Sequence, residues 1–204
     1  MKKNFSKKLF IATKNKGKLN EYIYLLKELN LEILTPFDYP NYNSPDEIGS
    51  TFLENALLKA RHGYGYTKIP TIADDSGLSV DILNGLPGIY SKRFYDNSGD
   101  FDKNIEKLLN MLKDVPFEKR KARFIAIIVY KDSFYEEIFT GELEGYIFNE
   151  KRGNFGFGYD PIFYLPQFSK TVGELTFEEK NKISHRKKAI EKFINFYKTT
   201  LQQL

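Results

Sequence analysis

The chain has no cysteine, no tryptophan, and only two methionines and two histidines among its 204 residues. Without thiols, a disulfide framework, a thiolate zinc site and a cysteine nucleophile are excluded. His62 and His185 are too few for a histidine-rich metal centre, so any bound metal is expected to be a hard ion held by oxygen. No G-x-S-x-G sequence occurs, and neither histidine has a recognisable nucleophile partner, which disfavours a serine triad. Neither sign of charge dominates. Thirty-one Lys and Arg against 27 Asp and Glu leave a net charge of +4, too little to make nucleic acid the expected partner but compatible with a small anionic ligand. Long apolar runs are also missing: the stretch after the basic start, residues 1–8, ends at Ala12, too short for a signal core or a membrane span. A cytoplasmic protein without membrane contact is the expectation.

What is present reads as α/β. Hydrophobic residues at 41% with charged residues at 28% describe a folded globular chain, and no repeat or low-complexity linker divides it. Leu9–Ala12 predicts a strand, Thr13–Lys18 a polar loop, and Leu19, Tyr22, Ile23, Leu26 and Leu29 the apolar positions of a helix. Leu31–Leu34 predicts a second strand, Thr35–Ser50 a proline-rich loop carrying Asp46 and Glu47, and Thr51 to about His62 a helix. Thr71–Ala73 reads as a strand ending in a tight turn, Asp74-Asp75-Ser76-Gly77, with another strand over Leu78–Ile82. Ile105, Leu108, Leu109 and Leu112 mark a helix, Ala122–Tyr130 a buried strand, and Ile138–Ile147 a strand broken near Gly141 and Gly145. A loop rich in glycine and aromatics, Gly153–Pro161, precedes a last helix whose apolar face is Ile190, Phe193, Ile194, Tyr197 and Leu201. This order predicts a mixed, twisted sheet covered by helices, with a second lobe.

Four segments carry chemistry. Thr13–Lys18 follows a strand and opens a helix, so backbone N–H groups, the positive helix end and three lysines can meet a phosphate there; it lacks the glycines of a P-loop, and a solvated turn would look the same. Asp74 and Asp75 are adjacent carboxylates that repel unless a cation or proton intervenes, and hard oxygen ligands select magnesium or manganese, with Glu47 able to complete a sparse site. The competing reading is an Asx turn before Gly77, with Asp74 meeting a nearby lysine. Phe155–Pro161 offers close backbone approach and three rings that could stack on a base, or simply core aromatics. Lys180 to Arg186, placed just before or within the first turn of the last helix with Ser184 as N-cap, presents donors suited to carbonyl or phosphate oxygens, or a solvated basic face.

Taken together, Thr13-x-Asn15-x-x-Lys18, Phe52-Leu53-Glu54-Asn55-Ala56 with Lys59-Ala60-Arg61, Ala73-Asp74-Asp75-Ser76-Gly77-Leu78, Pro87-Gly88-Ile89-Tyr90-Ser91, Phe157-Gly158-Tyr159-Asp160-Pro161 and Ser184-His185-Arg186 resemble the inosine triphosphate pyrophosphatase family, house-cleaning nucleotide hydrolases also called Ham1-like or RdgB-like. The resemblance runs from about Leu9 to the last helix. It implies magnesium-dependent hydrolysis of inosine, deoxyinosine and xanthosine triphosphates to the monophosphate and pyrophosphate, with manganese a possible substitute for magnesium. It also implies a homodimer and a single domain, residues 1–204, of elongated α/β form with two lobes around a central cleft. Carried onto this chain, Thr13, Lys14, Asn15, Lys16, Gly17 and Lys18 hold phosphates, Glu47 and Asp75 bind the metal, and Asp75 also acts as general base. Lys59 and Ser76 sit beside the substrate; Phe157, Gly158, Tyr159, Asp160, Lys180, His185 and Arg186 form the base and sugar region. Lys14 stands where many relatives have glycine or another small residue, and the extension 1–8 is longer than the family needs. Outside this family, the same basic loops and aromatics would suit a nucleotide-binding module without turnover, or a related hydrolase of other nucleotides.

Overall fold

The computed structural model describes residues 7–202; residues 1–6 of the basic extension therefore lie outside the described residues. The elements in chain order are β1 (Lys8–Ile11), α1 (Lys16–Leu26), β2 (Glu32–Leu34), α2 (Phe52–Thr67), β3 (Thr71–Val80), α3 (Phe101–Met111), β4 (Lys121–Lys131), β5 (Glu136–Ile147), β6 (Phe163–Leu165), β7 (Lys170–Thr171), α4 (Phe177–Ile183) and α5 (His185–Phe196). The strands form a seven-stranded sheet in the order β2-β1-β3-β4-β5-β6-β7. β1 pairs in parallel with β2 and β3, whereas β6 runs antiparallel to β5 and β7, so the expected mixed α/β sheet is present.

The chain divides into two compact units. One takes the described part of Met1–Asp75 together with Ala126–Gly141 and Arg186–Leu204; the other takes Ser76–Ile125 and Glu142–His185. In the first, β1 is buried on both faces, because successive side chains of a strand point to opposite sides. Leu9 and Ile11 pack with Tyr22 and Leu26 of α1 and with Ile190 and Phe193 of α5. Phe10 and Ala12 pack on the other side with Ala56 and Ala60 of α2. A large apolar side chain buried in this way contributes about 1.5–3 kcal/mol. The second unit has its own core, in which Leu78 and Val80 meet Ile105 and Leu108 of α3, Phe124, Phe163 and Ile162.

Several expectations are corrected. β3 runs unbroken from Thr71 to Val80, so the acidic pair lies within a strand and not in a turn; Ile82, beyond the strand end in a short 3₁₀ segment, is exposed. β5 is also continuous through Gly141 and Gly145. At Gly145 an added Cβ would lie 2.5 Å from the Tyr164 carbonyl, so this glycine admits the neighbouring strand β6 and does not break β5. α2 continues five residues past His62. Gly63 does not stop it: a Cβ there would come within 2.9 Å of Thr71, so its absence lets the helix sit close on the sheet. The helix ends instead at Lys68, which takes the left-handed conformation and donates its N–H to the Tyr64 carbonyl. Ile23 of α1 is 47% exposed and leaves the core face to Tyr22 and Leu26. Of the two placements expected for Lys180–Lys182, just before the last helix is the one observed: they form part of a separate helix α4, capped by Thr176. The last apolar face is as expected, with Ile190, Phe193, Ile194, Tyr197 and Leu201 all buried.

Candidate active site

The alternation that buries β1 also sorts the two aspartates. Ile72 enters the core shared with α1 and α5, and Ala73 the core shared with α2. Two residues further on, Asp74 falls on the first side and Asp75 on the second. Asp74 Oδ2 lies 3.0 Å from Lys18 Nζ of α1 and 3.5 Å from Arg186 Nη2 of α5. Asp75 Oδ1 lies 2.8 Å from Lys59 Nζ, and its Oδ2 accepts a hydrogen bond of 3.3 Å from Asn55 Nδ2, both from α2. Adjacent acids are thus separated by the sheet, each with its own cation. The turn reading of the pair fails here, but its expectation that Asp74 meets a lysine holds.

Their electrostatics diverge accordingly. Burial by itself would raise Asp74, but Lys18, Arg186 and Lys59 together outweigh it and hold this carboxyl well below the usual carboxylate range. For Asp75 burial wins against Lys59 and Lys18, and its pKa rises above the ordinary value. Burial lowers the Lys18 ammonium despite Asp74 beside it. Burial also disfavours the Lys59 ammonium, yet Asp75, Asp74 and Glu47 together raise it.

Glu47 comes from the loop before α2, and its Oε1 lies 2.9 Å from the same Lys59 Nζ. That loop is pinned to the start of α2: the Gly49 N–H donates to Asn55 Oδ1 at 2.8 Å and Ser50 N–H to Glu54 Oε2 at 2.6 Å. Glu47 and Asp75 therefore each aim an oxygen at one cationic position. Among the described residues no group of three or more histidine or carboxylate side chains forms a metal cage. A pair of hard carboxylate oxygens nevertheless suits magnesium, which takes one or two carboxylates and fills its remaining positions with water and phosphate oxygens.

The Thr13–Lys18 segment leads from β1 into α1. Asn15 caps the helix, its Oδ1 accepting from the Lys18 N–H at 3.0 Å, and Thr13 Oγ1 accepts from the Asn15 N–H at 3.2 Å. The first turn carries Lys16, Gly17 and Lys18 and no acidic residue, a pattern that the positive helix end disfavours until an anion is present. Lys18 turns inward to Asp74, whereas Lys14 and Lys16 are exposed.

The second unit holds the other predicted residues. Asp160 is buried, with Oδ2 accepting from Lys180 Nζ at 2.5 Å and from the Phe157 N–H at 2.8 Å. Lys180 Nζ also lies 4.3 Å from the centre of the Phe157 ring. Gly156 and Gly158 adopt positive φ, and a Cβ on Gly156 would overlap the Asp160 carboxylate. His185 is buried and stacked on Phe124 at 5.0 Å. Tyr159 is not available for stacking on a base: it is a core residue whose hydroxyl donates to the Ser91 carbonyl at 3.0 Å. Ser76, half-buried, follows Asp75 in β3. Arg186 is 1% exposed and belongs to the first unit, where it pairs with Glu21 and Asp74. His62, given no function, is exposed at the edge of the Tyr42 ring, with Nε2 2.8 Å from the Asn43 carbonyl.

Sequence reasoning assigned no role to Asn55 or Glu21. Glu21 lies three residues after Lys18 and one before Tyr22 on the buried side of α1, so an acid at a core-facing helical position was the available signal.

A parallel strand entering a basic helix start, beside carboxylates sorted to two faces of that sheet, makes this an α/β protein with a site suited to an anionic ligand. The chain belongs to the Ham1 family, whose model matches residues 9–196. It is 44% identical over 191 residues to a protein of Photorhabdus laumondii named dITP/XTP pyrophosphatase, covering 92% of this chain and 96% of that one. A dITP/XTP pyrophosphatase of Salmonella typhimurium is 46% identical over 187 residues, covering 90% of this chain and 94% of its own length. Among solved structures, a HAM1 protein from Coxiella burnetii superposes with a TM-score of 0.86 at 37% identity, over 94% of this chain and 98% of that one. The Ham1 protein of Staphylococcus aureus gives 0.84 at 38% identity with the same coverage.

Proposed function

We propose that this chain is a nucleoside triphosphate pyrophosphohydrolase that converts inosine, deoxyinosine and xanthosine triphosphates to the monophosphate and pyrophosphate, so removing deaminated purine nucleotides from the precursor pool. The observation that carries the reading is the division of labour across β3. Asp74 is held ionised and pairs with Lys18 at the start of α1, while the Asp75 carboxyl is raised by burial, and this contrast supports Asp75 as the proton acceptor. The relatives named dITP/XTP pyrophosphatase support the same chemistry.

In this reading the α1 N-terminus, Thr13 and Lys18 hold the phosphate chain. Asn55 holds the Asp75 carboxylate, which accepts a proton from the water attacking the α-phosphorus as the bond to the β-phosphate bridging oxygen breaks. Glu47 and Asp75 would hold magnesium, or manganese in its place, which supplies charge neutralisation on the phosphate oxygens. Little covalent work remains for the protein, since phosphoryl-type transfer rests on positioning and electrostatics. At the base end, the Gly158 and Tyr159 N–H groups of the loop that Lys180 and Asp160 hold in place are donors suited to a 6-oxo group, and adenine offers a 6-amino donor at that position. A homodimer located in the cytoplasm belongs to the same proposal; among the described residues no helix is long and apolar enough to cross a membrane.

Chromatography of products from a panel of inosine, xanthosine, guanosine and adenosine triphosphates tests the reading. Monophosphate and pyrophosphate from the first two, with slow turnover of adenosine triphosphate, is the expected result. Diphosphate and orthophosphate would place cleavage at the terminal bond and refute it.

A further inference from the structure

Lys59 stands where a divalent ion would have to bind. Its ammonium is 2.9 Å from Glu47 Oε1 and 2.8 Å from Asp75 Oδ1, the two carboxylates read above as the metal ligands. Magnesium approaches carboxylate oxygens to about 2.0–2.1 Å, so an ammonium still bonded to the same oxygens would face it at close range with like charge. The carboxylates themselves need not move: Asp75 is fixed within β3, and the Glu47 loop is tied to α2 through Gly49 to Asn55 and Ser50 to Glu54. The side chain that can leave is the lysine, a flexible stem carrying a compact charge with three rotatable donors. The other buried acid of this strand, Asp74, already serves Lys18 and Arg186. A triphosphate brings the anionic oxygens that a released ammonium would need.

We propose that Lys59 is a displaceable counter-ion that couples metal binding to substrate binding: it holds Glu47 and Asp75 together in the metal-free protein and passes to a phosphate oxygen when the metal and the triphosphate arrive. The proposal rests on the reading of Glu47 and Asp75 as metal ligands. It makes Lys59 a positioning residue for an empty site and a phosphate ligand for a full one. By linkage, metal and phosphate then strengthen each other's binding by the same factor.

Calorimetric titration with Mn²⁺ alone, and with Mn²⁺ in the presence of inorganic pyrophosphate, tests this without turnover. Lys59→Met keeps the stem and removes the charge. It is expected to bind Mn²⁺ alone about tenfold more tightly than wild type, and the enhancement by pyrophosphate, about 5–150-fold in wild type, should shrink in the variant. Equal or weaker Mn²⁺ binding by folded Lys59→Met overturns the proposal. If that variant does not fold, lysine ammonium NMR on the wild type decides: the Lys59 resonance should move when Mg²⁺ and pyrophosphate are added together, and an unchanged resonance at saturation overturns the proposal. Glu47→Gln and Asp75→Asn separate the two levels. Wild-type Mn²⁺ affinity in both would overturn the metal-site reading and the proposal with it. Lost affinity in both, with no gain in Lys59→Met, would overturn the counter-ion role alone.

Discussion

Asp75→Asn is close to isosteric, but the structure shows that it is not energetically silent. Wild-type Asp75 accepts on both oxygens, from Lys59 at 2.8 Å and from Asn55 Nδ2 at 3.3 Å. An amide can keep its oxygen toward Lys59 only by turning its own NH₂ toward the NH₂ of Asn55. Asn55 cannot flip to answer without losing the 2.8 Å bond from the Gly49 N–H to its oxygen. A buried donor is therefore left without an acceptor, which costs about 1–3 kcal/mol. Lys59 retains Glu47, so the larger penalty of a buried charge stripped of every partner does not apply. For a chain of this size that loss lowers Tm by roughly 2–12 °C. The catalytic effect should be larger: removing a general base lowers turnover about 10²–10⁴-fold, and weaker metal binding adds to it. Pyrophosphate release from inosine triphosphate, measured at saturating magnesium well below the variant's Tm, separates the two effects. Turnover near wild type under those conditions would remove Asp75 as the base, and an unshifted Tm would refute the donor conflict with Asn55.

Arg186→Ala should lower kcat/KM for inosine and adenosine triphosphates by the same factor, because the buried guanidinium pairs with Glu21 and Asp74; a collapse of the ratio between the two substrates would return Arg186 to base selection. The same variant leaves Glu21 buried without its guanidinium and should lose roughly 3–5 kcal/mol in chemical denaturation. Gly156→Ala should disorder the loop 153–161, since its φ of +78° disfavours a side chain and the new Cβ would displace the Asp160 carboxylate; faster amide exchange over residues 153–158 with unchanged exchange in α1 is the expected pattern, and unaltered protection of the loop would contradict it. Carboxyl NMR on the metal-free protein should show Asp74 ionised below the usual range near pH 3.9 and Asp75 titrating above it. The sign for stability follows: the depressed pKa of Asp74 gives stabilisation that is present above pH ~4 and is lost as pH falls toward its folded value, whereas Asp75, with its raised pKa, costs stability once ionised at neutral pH. The reverse order of the two titrations would refute the assignment.

The sequence alone was enough for the class of fold, the main apolar faces and the strand-to-helix loop at Thr13–Lys18, because those depend on periodicity and on neighbours within a few residues. Leu9–Ile11, Tyr22 with Leu26, and Ile190 with Phe193 read as core and are core, since 2.0- and 3.6-residue periods survive any arrangement of the elements. Asp74-Asp75-Ser76-Gly77 was misread, because by local rules it is a turn and only pairing within the sheet keeps it in β3. Once the strand is continuous, alternation does the rest: Asp74 goes to Lys18 and Arg186, and Asp75 goes to Lys59 and Asn55. None of those partners is closer than 16 residues in sequence to the aspartate it meets at Lys59, and Arg186 approaches from α5 at the far end of the chain. Gly145 looked like an interruption for a similar reason, since the sequence shows a missing side chain but not the strand that comes close enough to need the space. Which chemistry-bearing residues exist was legible in their order along the chain. Which cation neutralises which carboxylate, and so which acid is held below the usual range and which is raised above it, was decided by the tertiary structure, because burial and charge pairing act through space.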